Sequence, residues 1–396
     1  MPLPLQHIRV LDLSRVLAGP HCTMLLGDLG AEVIKVERPQ TGDDTRQWGP
    51  PFTGGESTYY LACNRNKKSI TLNLKSERGQ QLASALAAKS DVLVENLLPG
   101  TLDEFGLGYE ALKKANPRLV YCSISGFGQD GPYRDRPGYD LLVQAMGGVM
   151  SITGEPDGEP MKVGVAISDI TSGLYAATAI LAALNARERT GVGDRIDISL
   201  LDSTVSWLAN VASAYLVTEK NPKRYGNAHA SIVPYQAFHA SDGYFVVAVG
   251  NDDQWQRFCR AVERPDLAAD ERFKTNPLRV KHREVLISIL TEYFVTKSMA
   301  HWLEHLEKGE VPAAPVNTFD HVFTDPQVLA RQMAIDVPHP TIGNLRMVGS
   351  PLKMESLKER PFVAPPLLGQ HTEEVLREYL GLQGEEVEKL RKEGVV

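Results

Sequence analysis

Cysteine is scarce, and none of it is paired in sequence. Cys22, Cys63, Cys122 and Cys259 are scattered over 396 residues without a CxxC spacing, which indicates neither a disulfide framework nor a zinc site and favours a reducing, cytoplasmic setting. Positive charge is not in excess either. Lysine and arginine number 42 against 49 acids, a net charge of −7, so the surface is not built chiefly to grip nucleic acid or anionic lipid. No apolar stretch of signal-peptide length opens the chain. The longest uncharged run, 170–186, lies between Asp169 and Arg187 and carries Thr171, Ser172, Thr178 and Asn185. It only reaches the lower limit for crossing a bilayer, so a buried helix is expected and no membrane partner. Repeats and low-complexity segments are missing too. What remains, 43% hydrophobic and 23% charged, is an ordinary globular composition, long enough for two or three domains at roughly 150 residues each.

The apolar pattern alternates between periods of two and of 3.6 residues. Strands are predicted over 8–13 and 31–37 around a helix that ends near 29. A second cycle gives strands over 69–74, 91–95 and 119–125, with helices over 76–88 and near 102–115. Such alternation implies an α/β fold with a mostly parallel sheet covered on both faces. A helix over 170–189, a strand over 195–199 and a long helix over 201–218 follow. The stretch EKNPKRYGN, 219–227, loses all periodicity and marks a boundary. Beyond it, a strand over 244–249 and helices over 252–262, 285–293 and 298–308 suggest a smaller α/β domain. The proline-studded return over 338–366 reads as extended, and 371–380 as a closing helix. The division is therefore 1–220 as the first part of a large domain, 221–325 as a small one, and 326–396 as the return to the large domain.

Two tempting motifs fail on their surroundings. GFGQDG at 126–131 spells a dinucleotide fingerprint after a strand, but Pro132, Pro137 and Gly138 prevent a helix from starting at its last glycine. Glu37 ends the second strand where a ribose-binding acid could sit, yet Arg38 follows it. His301 and His305 have the spacing of two metal ligands. HWLEH lacks a general-base glutamate after its first histidine, and no third ligand is near, so no metal site is read. Asp169, at the mouth of the most hydrophobic predicted helix, has two readings. It could cap the helix, or it could be a carboxylate held charged by the helix dipole and backbone donors and available as a nucleophile toward an activated acyl group.

Five ordered motifs carry a family likeness: VLDLSRVLAGP at 10–20, GDLGAEVIKVERP at 27–39, VENLLPG at 94–100, the Asp169 segment with GLYA at 173–176, and PLLGQH at 366–371. Through them the chain resembles the class III CoA-transferases, the family of formyl-CoA transferase and the carnitine CoA-transferases. GDDTR at 42–46, WGPPF at 48–52, ESTYYL at 56–61, NRNKKSI at 64–70 and SIVPYQAF at 231–238 are similar to those members that pass CoA from succinyl-CoA to glutarate. The resemblance implies a Rossmann-like large domain built from both chain ends, a small inserted domain and an interlocked homodimer. It implies an enzyme in which Asp169 forms an aspartyl anhydride and then an aspartyl-CoA thioester. Its partners would be acyl-CoA and carboxylic acids, and no metal or redox cofactor would be needed, since the CoA thioester is itself a substrate.

By the same likeness Val16, Ala18, Arg38, Leu72, Lys75 and Asn96 would bind CoA, and Trp48, Tyr59 and Tyr139 would line the acyl pocket. Glu104 and Pro137 depart from formyl-CoA transferase, which has Arg and Lys there; Arg134 or Arg136 could restore the second charge. GNAHASIVPY at 226–235 replaces that enzyme's polyglycine flap, which argues against oxalate. The family's racemases have Gly-His-Asp where this chain has Gly138-Tyr139-Asp140, and a tyrosine is a poor base near neutral pH. A 2-methylacyl-CoA racemase and a CoA-binding module with an inert Asp169 remain the alternatives. A dicarboxylate acceptor needs a cation for its distal carboxylate; Arg46 or Arg65 is expected to supply it, with His229 and Ser231 adding hydrogen bonds.

Overall fold

A computed structural model describes residues 2–358 and 360–396. Six short runs form one sheet: β1 (Arg9–Asp12), β2 (Glu32–Glu37), β3 (Lys67–Thr71), β4 (Val92–Glu95), β5 (Val120–Ser125) and β6 (Arg195–Ser199). Nearly every residue of β2, β4 and β5 is buried, because helices cover both faces and an alternating polar face would be stranded. All pairings are parallel, with Val10 beside Val33 and Val92 in register. On one face Val10, Val33, Val92 and Val120 pack against α1 (Ala18–Asp28). On the other, Leu11, Ile34, Leu93 and Tyr121 meet Leu82 and Leu86 of α2 (Glu77–Ala88), whose start Ser76 caps by accepting the Gly79 amide at 3.1 Å.

The strand order β3-β2-β1-β4-β5-β6 reverses direction between β1 and β4. The chain leaves the two strands on opposite sides there, so the crevice beyond their carboxyl ends is where such sheets receive ligands. Residues 14–18 and 96–99 occupy that edge.

Four further helices lie in the same part of the chain as the sheet: α3 (Asp140–Met146), α4 (Ile167–Thr190), α5 (Leu200–Ser206) and α6 (Ala209–Thr218). The chain divides into two compact units, one of 1–149, 162–219 and 327–396, the other of 150–161 and 220–326. The second has an antiparallel sheet of β7 (Tyr235–His239), β8 (Tyr244–Ala248) and β9 (Ala313–Pro315). Its core is aromatic, with Trp255, Phe258, Phe294 and Trp302 all buried.

Several expectations shift. Residues 150–161 belong with the second unit, where the Gly226 amide donates to the Gly154 carbonyl at 3.1 Å and Arg224 donates to the Glu155 carbonyl at 3.0 Å. The helix expected near 102–115 is two, Thr101–Glu104 and Tyr109–Ala115, separated by Gly106 at φ 67°. The helix expected over 201–218 breaks between α5 and α6, where Ala209 has φ 45°. The extended return contains a hairpin of β10 (Ala334–His339) and β11 (Gly343–Val348). After the helix Thr372–Leu380 comes a further one, Gly384–Lys392, with a Gln383/Glu386 capping box.

One contact shapes the crevice. A Cβ on Gly138 would stand 2.2 Å from the Gly126 Cα, so two bare backbones touch and residues 136–139 lie over the end of β5. Gly138→Ala is therefore expected to cost about 1–3 kcal/mol, read as a lower midpoint in a thermal melt. An unchanged midpoint would contradict the close approach.

Candidate active site

The loop after β1 is held in an unusual shape. Val16, a β-branched residue, sits at φ 70°, a left-handed conformation that persists only where neighbours enforce it. The enforcement is visible. Its amide donates to both oxygens of Asp43 at 3.2 and 3.3 Å, while Asn96 accepts the Arg15 amide at 2.8 Å and donates to the Arg15 carbonyl at 2.7 Å. Asp43 is in turn paired with the fully buried Lys35 at 2.9 Å, and Lys35 also donates to the Ser14 carbonyl at 2.9 Å. Burial raises the Asp43 carboxyl, but Lys35 and the Thr45 hydrogen bonds outweigh it and bring it down to about 2. Next to this pair, Asp12 accepts from Lys67 at 3.2 Å, from the Thr23 hydroxyl at 2.6 Å and from the Ser14 amide at 3.0 Å.

The crevice is a cavity of about 200 Å³ whose walls include Arg15, Val16, Ala18, Asn96, Arg136, Tyr139 and Asp169. Asp169 is the third residue of α4 and does not cap it. The cap comes from outside the helix. Asp140 accepts the Ser168 amide at 2.8 Å with one oxygen and the Gln144 side-chain amide at 2.7 Å with the other. The backbone donors expected for Asp169 are thus absent, and its carboxylate accepts no hydrogen bond from the described residues. A helix N-terminus favours the charged form. Burial first, and the like charge of Asp140 second, outweigh that and push the Asp169 carboxyl up to about 7. The result is a poorly solvated, unpartnered carboxylate facing a cavity.

Tyr59 completes this environment. Its ring meets Trp48 edge-on, with centroids 5.2 Å apart. Burial and then the Asp169 charge push its phenol up to about 12, so it stays protonated beside the carboxylate.

The remaining expected residues fall elsewhere. Arg38 is half-exposed, paired with Asp44 and donating to the Gly42 carbonyl at 3.2 Å. Lys75 is exposed. The Leu72 side chain is buried in the core, so it offers no surface to CoA. Arg46 and Arg65 are corrected outright. Arg46 donates to Glu37 at 2.8 Å, to Glu56 at 3.1 Å and to the Pro366 carbonyl at 3.1 Å, with its guanidinium 3.6 Å from the Tyr60 ring centre. Arg65 grips Asp28 through two bonds of 2.9 and 2.6 Å. Neither lines the cavity, because each guanidinium is already neutralised inside its own unit. His229 and Ser231 lie on the second unit, bonded to each other, the Ser231 amide donating to the His229 ring at 3.1 Å. Arg283 fastens that loop through the carbonyls of His229 and Ala230.

Asp140 and Arg15 are the residues that sequence reasoning passed over. Each lay inside a motif already singled out. No sequence signal pointed to Asp140, because Asp169 itself read as the cap and the extra residues at the start of α4 emerge only in the structure.

The model of CoA-transferase family III matches residues 5–372. The chain is 49% identical to the succinyl-CoA:glutarate CoA-transferase of Mus musculus, over 99% of this chain and 90% of that one. It is 45% identical to the succinate–glutarate CoA-transferase of Agrobacterium fabrum, covering 95% of each. A crystal structure of a CAIB/BAIF family protein from Brucella suis superposes with a TM-score of 0.86 at 45% identity, over 96% of this chain and 100% of that one. The chain belongs to CoA-transferase family III, and it is an enzyme that transfers CoA between acids.

The electrostatics set a pH profile. Only a charged carboxylate can attack a thioester, so if Asp169 is the attacking group, turnover rises with pH through an apparent pKa near 7. Asp140→Asn keeps an oxygen for the Ser168 amide but removes the like charge, so the acid limb of kcat/KM should move to lower pH. A limb that stays in place, or moves up, would show that Asp140 does not tune Asp169.

Proposed function

We propose that this enzyme takes CoA from a dicarboxyl-CoA donor, succinyl-CoA, and gives it to glutarate or a similar short dicarboxylate, with Asp169 as the covalent carrier. The observation that carries the reading is the unpartnered Asp169 carboxylate in the crevice at the turning point of the sheet. Its oxygen attacks the donor thioester carbonyl; the C–S bond breaks, giving a mixed anhydride and CoA thiolate. The thiolate attacks the Asp169 carbonyl, releasing succinate and leaving an aspartyl-CoA thioester. The acceptor carboxylate repeats the first step on that thioester, and returning thiolate takes the acceptor's acyl group and frees Asp169. Both acids must meet one carbonyl, and water must be kept from it.

In the same reading Val16, Ala18 and Asn96 hold CoA along the crevice, while Arg38, Lys75 and Arg136 meet its phosphates. Trp48, Tyr59 and Tyr139 bound the acyl group. The metal-free chemistry and a cytoplasmic location belong to this proposal, as does the homodimer. Support for a second copy comes from α6, which buries none of its residues and leaves Leu216 77% and Val217 84% exposed, and from Leu174, Tyr175 and Leu181 exposed on α4. That much apolar surface is expected to be covered.

Succinyl-CoA offered with a panel of acids, read out as new acyl-CoA masses, tests the function. Glutaryl-CoA should form readily and oxalyl-CoA poorly. Asp169→Ala should lower turnover at least about a thousandfold while CoA still binds. Binding without any transfer by the unaltered chain would leave a CoA-binding module instead.

A further inference from the structure

We infer that Arg15 is the cation that meets the distal carboxylate of the acid substrate, an inference that rests on the transferase reading above. A dicarboxylate that brings one carboxylate to Asp169 carries a second into the same crevice, where an unpaired anion is costly. Among the described residues that line the cavity, the basic ones are Arg15 and Arg136. Arg46 and Arg65 have their donors committed to Glu37, Glu56 and Asp28.

The two lining arginines differ in what they are free to do. Arg15 has its backbone fixed on both sides, through Asn96 and through the strained Val16 that follows it. Among the described residues its guanidinium reaches only Asp44, at a long 3.4 Å, and the other oxygen of Asp44 is taken by Arg38. Asp44, which also lines the cavity, thus stands between two guanidiniums and is held more closely by Arg38, so Arg15 is left the less neutralised of the two. Such a group can exchange a weak contact for a forked pair with an incoming carboxylate without moving its backbone. The loop that carries it also abuts the helix of Asp169: a Cβ on Gly173 would fall 2.7 Å from the Ala18 carbonyl oxygen. Arg15 and Asp169 are therefore held on two apposed elements. Arg136 sits in an exposed stretch and stacks on Tyr133, 4.0 Å from the ring centre. A carboxylate there would stay hydrated and gain little, whereas a CoA phosphate could reach it from solvent. Arg15 thus selects dicarboxylates, and it serves the succinyl and glutaryl groups in turn because both occupy one acid site.

The test uses the full chain with glutarate and pentanoate, which have the same carbon count and differ by one carboxylate. In Arg15→Gln the ratio of kcat/KM for glutarate over pentanoate should fall about 10–100-fold, the loss expected for one charge-assisted contact. Arg15→Lys should recover part of it. Arg136→Gln should leave the ratio within about threefold while raising the KM of the CoA donor for either acid. A ratio unchanged in Arg15→Gln, with the melting midpoint preserved, overturns the assignment and leaves the transferase reading standing. A ratio that falls in Arg136→Gln instead moves the cation to Arg136 and equally overturns it. Should the unaltered chain form no acyl-CoA from any acid, the transferase reading fails and the assignment falls with it.

Discussion

Two fully buried lysine–aspartate pairs, Lys35 with Asp43 and Lys67 with Asp12, lie beneath the loop that follows β1. Taking four charges out of water costs several kcal/mol each, and the pairing returns little more than that. Their contribution is to geometry. Asp43 holds the Val16 amide, Lys35 the Ser14 carbonyl and Asp12 the Ser14 amide, so the loop cannot relax from the shape that makes one wall of the crevice. Losing any one partner would strand a buried charge and release the loop together. The neighbouring Glu37–Arg46 and Asp28–Arg65 pairs extend the same arrangement along β2 and α1.

This construction accounts for what sequence could and could not tell. The strands were legible because short segments rich in β-branched and apolar residues, as in EVIKVE of β2 and VYCSIS of β5, stand between helical and turn signals. The fold and family followed from those runs and from motifs in fixed order. Charge partners were not legible, because Arg65 finds Asp28 from 37 positions away across the core. An arginine near an expected pocket looks the same in sequence whether it is free or paired. The cap of α4 was hidden for the same reason, since Asp140 reaches Ser168 from 28 positions away. Helix breaks at Gly106 and Ala209 depend on left-handed backbone that only tertiary packing fixes.

The site then follows from a competition at one carboxylate. The N-terminus of α4 favours the charged form of Asp169, while burial and Asp140 oppose it. Asp140 takes the cap, and no hydrogen bond within the described chain quenches Asp169, which leaves its oxygens free for the attack proposed above. Placing this group where the strand order reverses joins it to the Val16 loop and Asn96 in a single crevice.

The central claim is that Asp169 becomes covalently attached to CoA. Its most direct test is the mass of the proteolytic peptide containing Asp169 after succinyl-CoA is added without acceptor acid and the reaction is quenched in acid. The account predicts that this peptide gains the mass of CoA less one water, and that glutarate discharges it as glutaryl-CoA. A peptide of unaltered mass from enzyme that is actively turning over, or an adduct on any other residue, would contradict it.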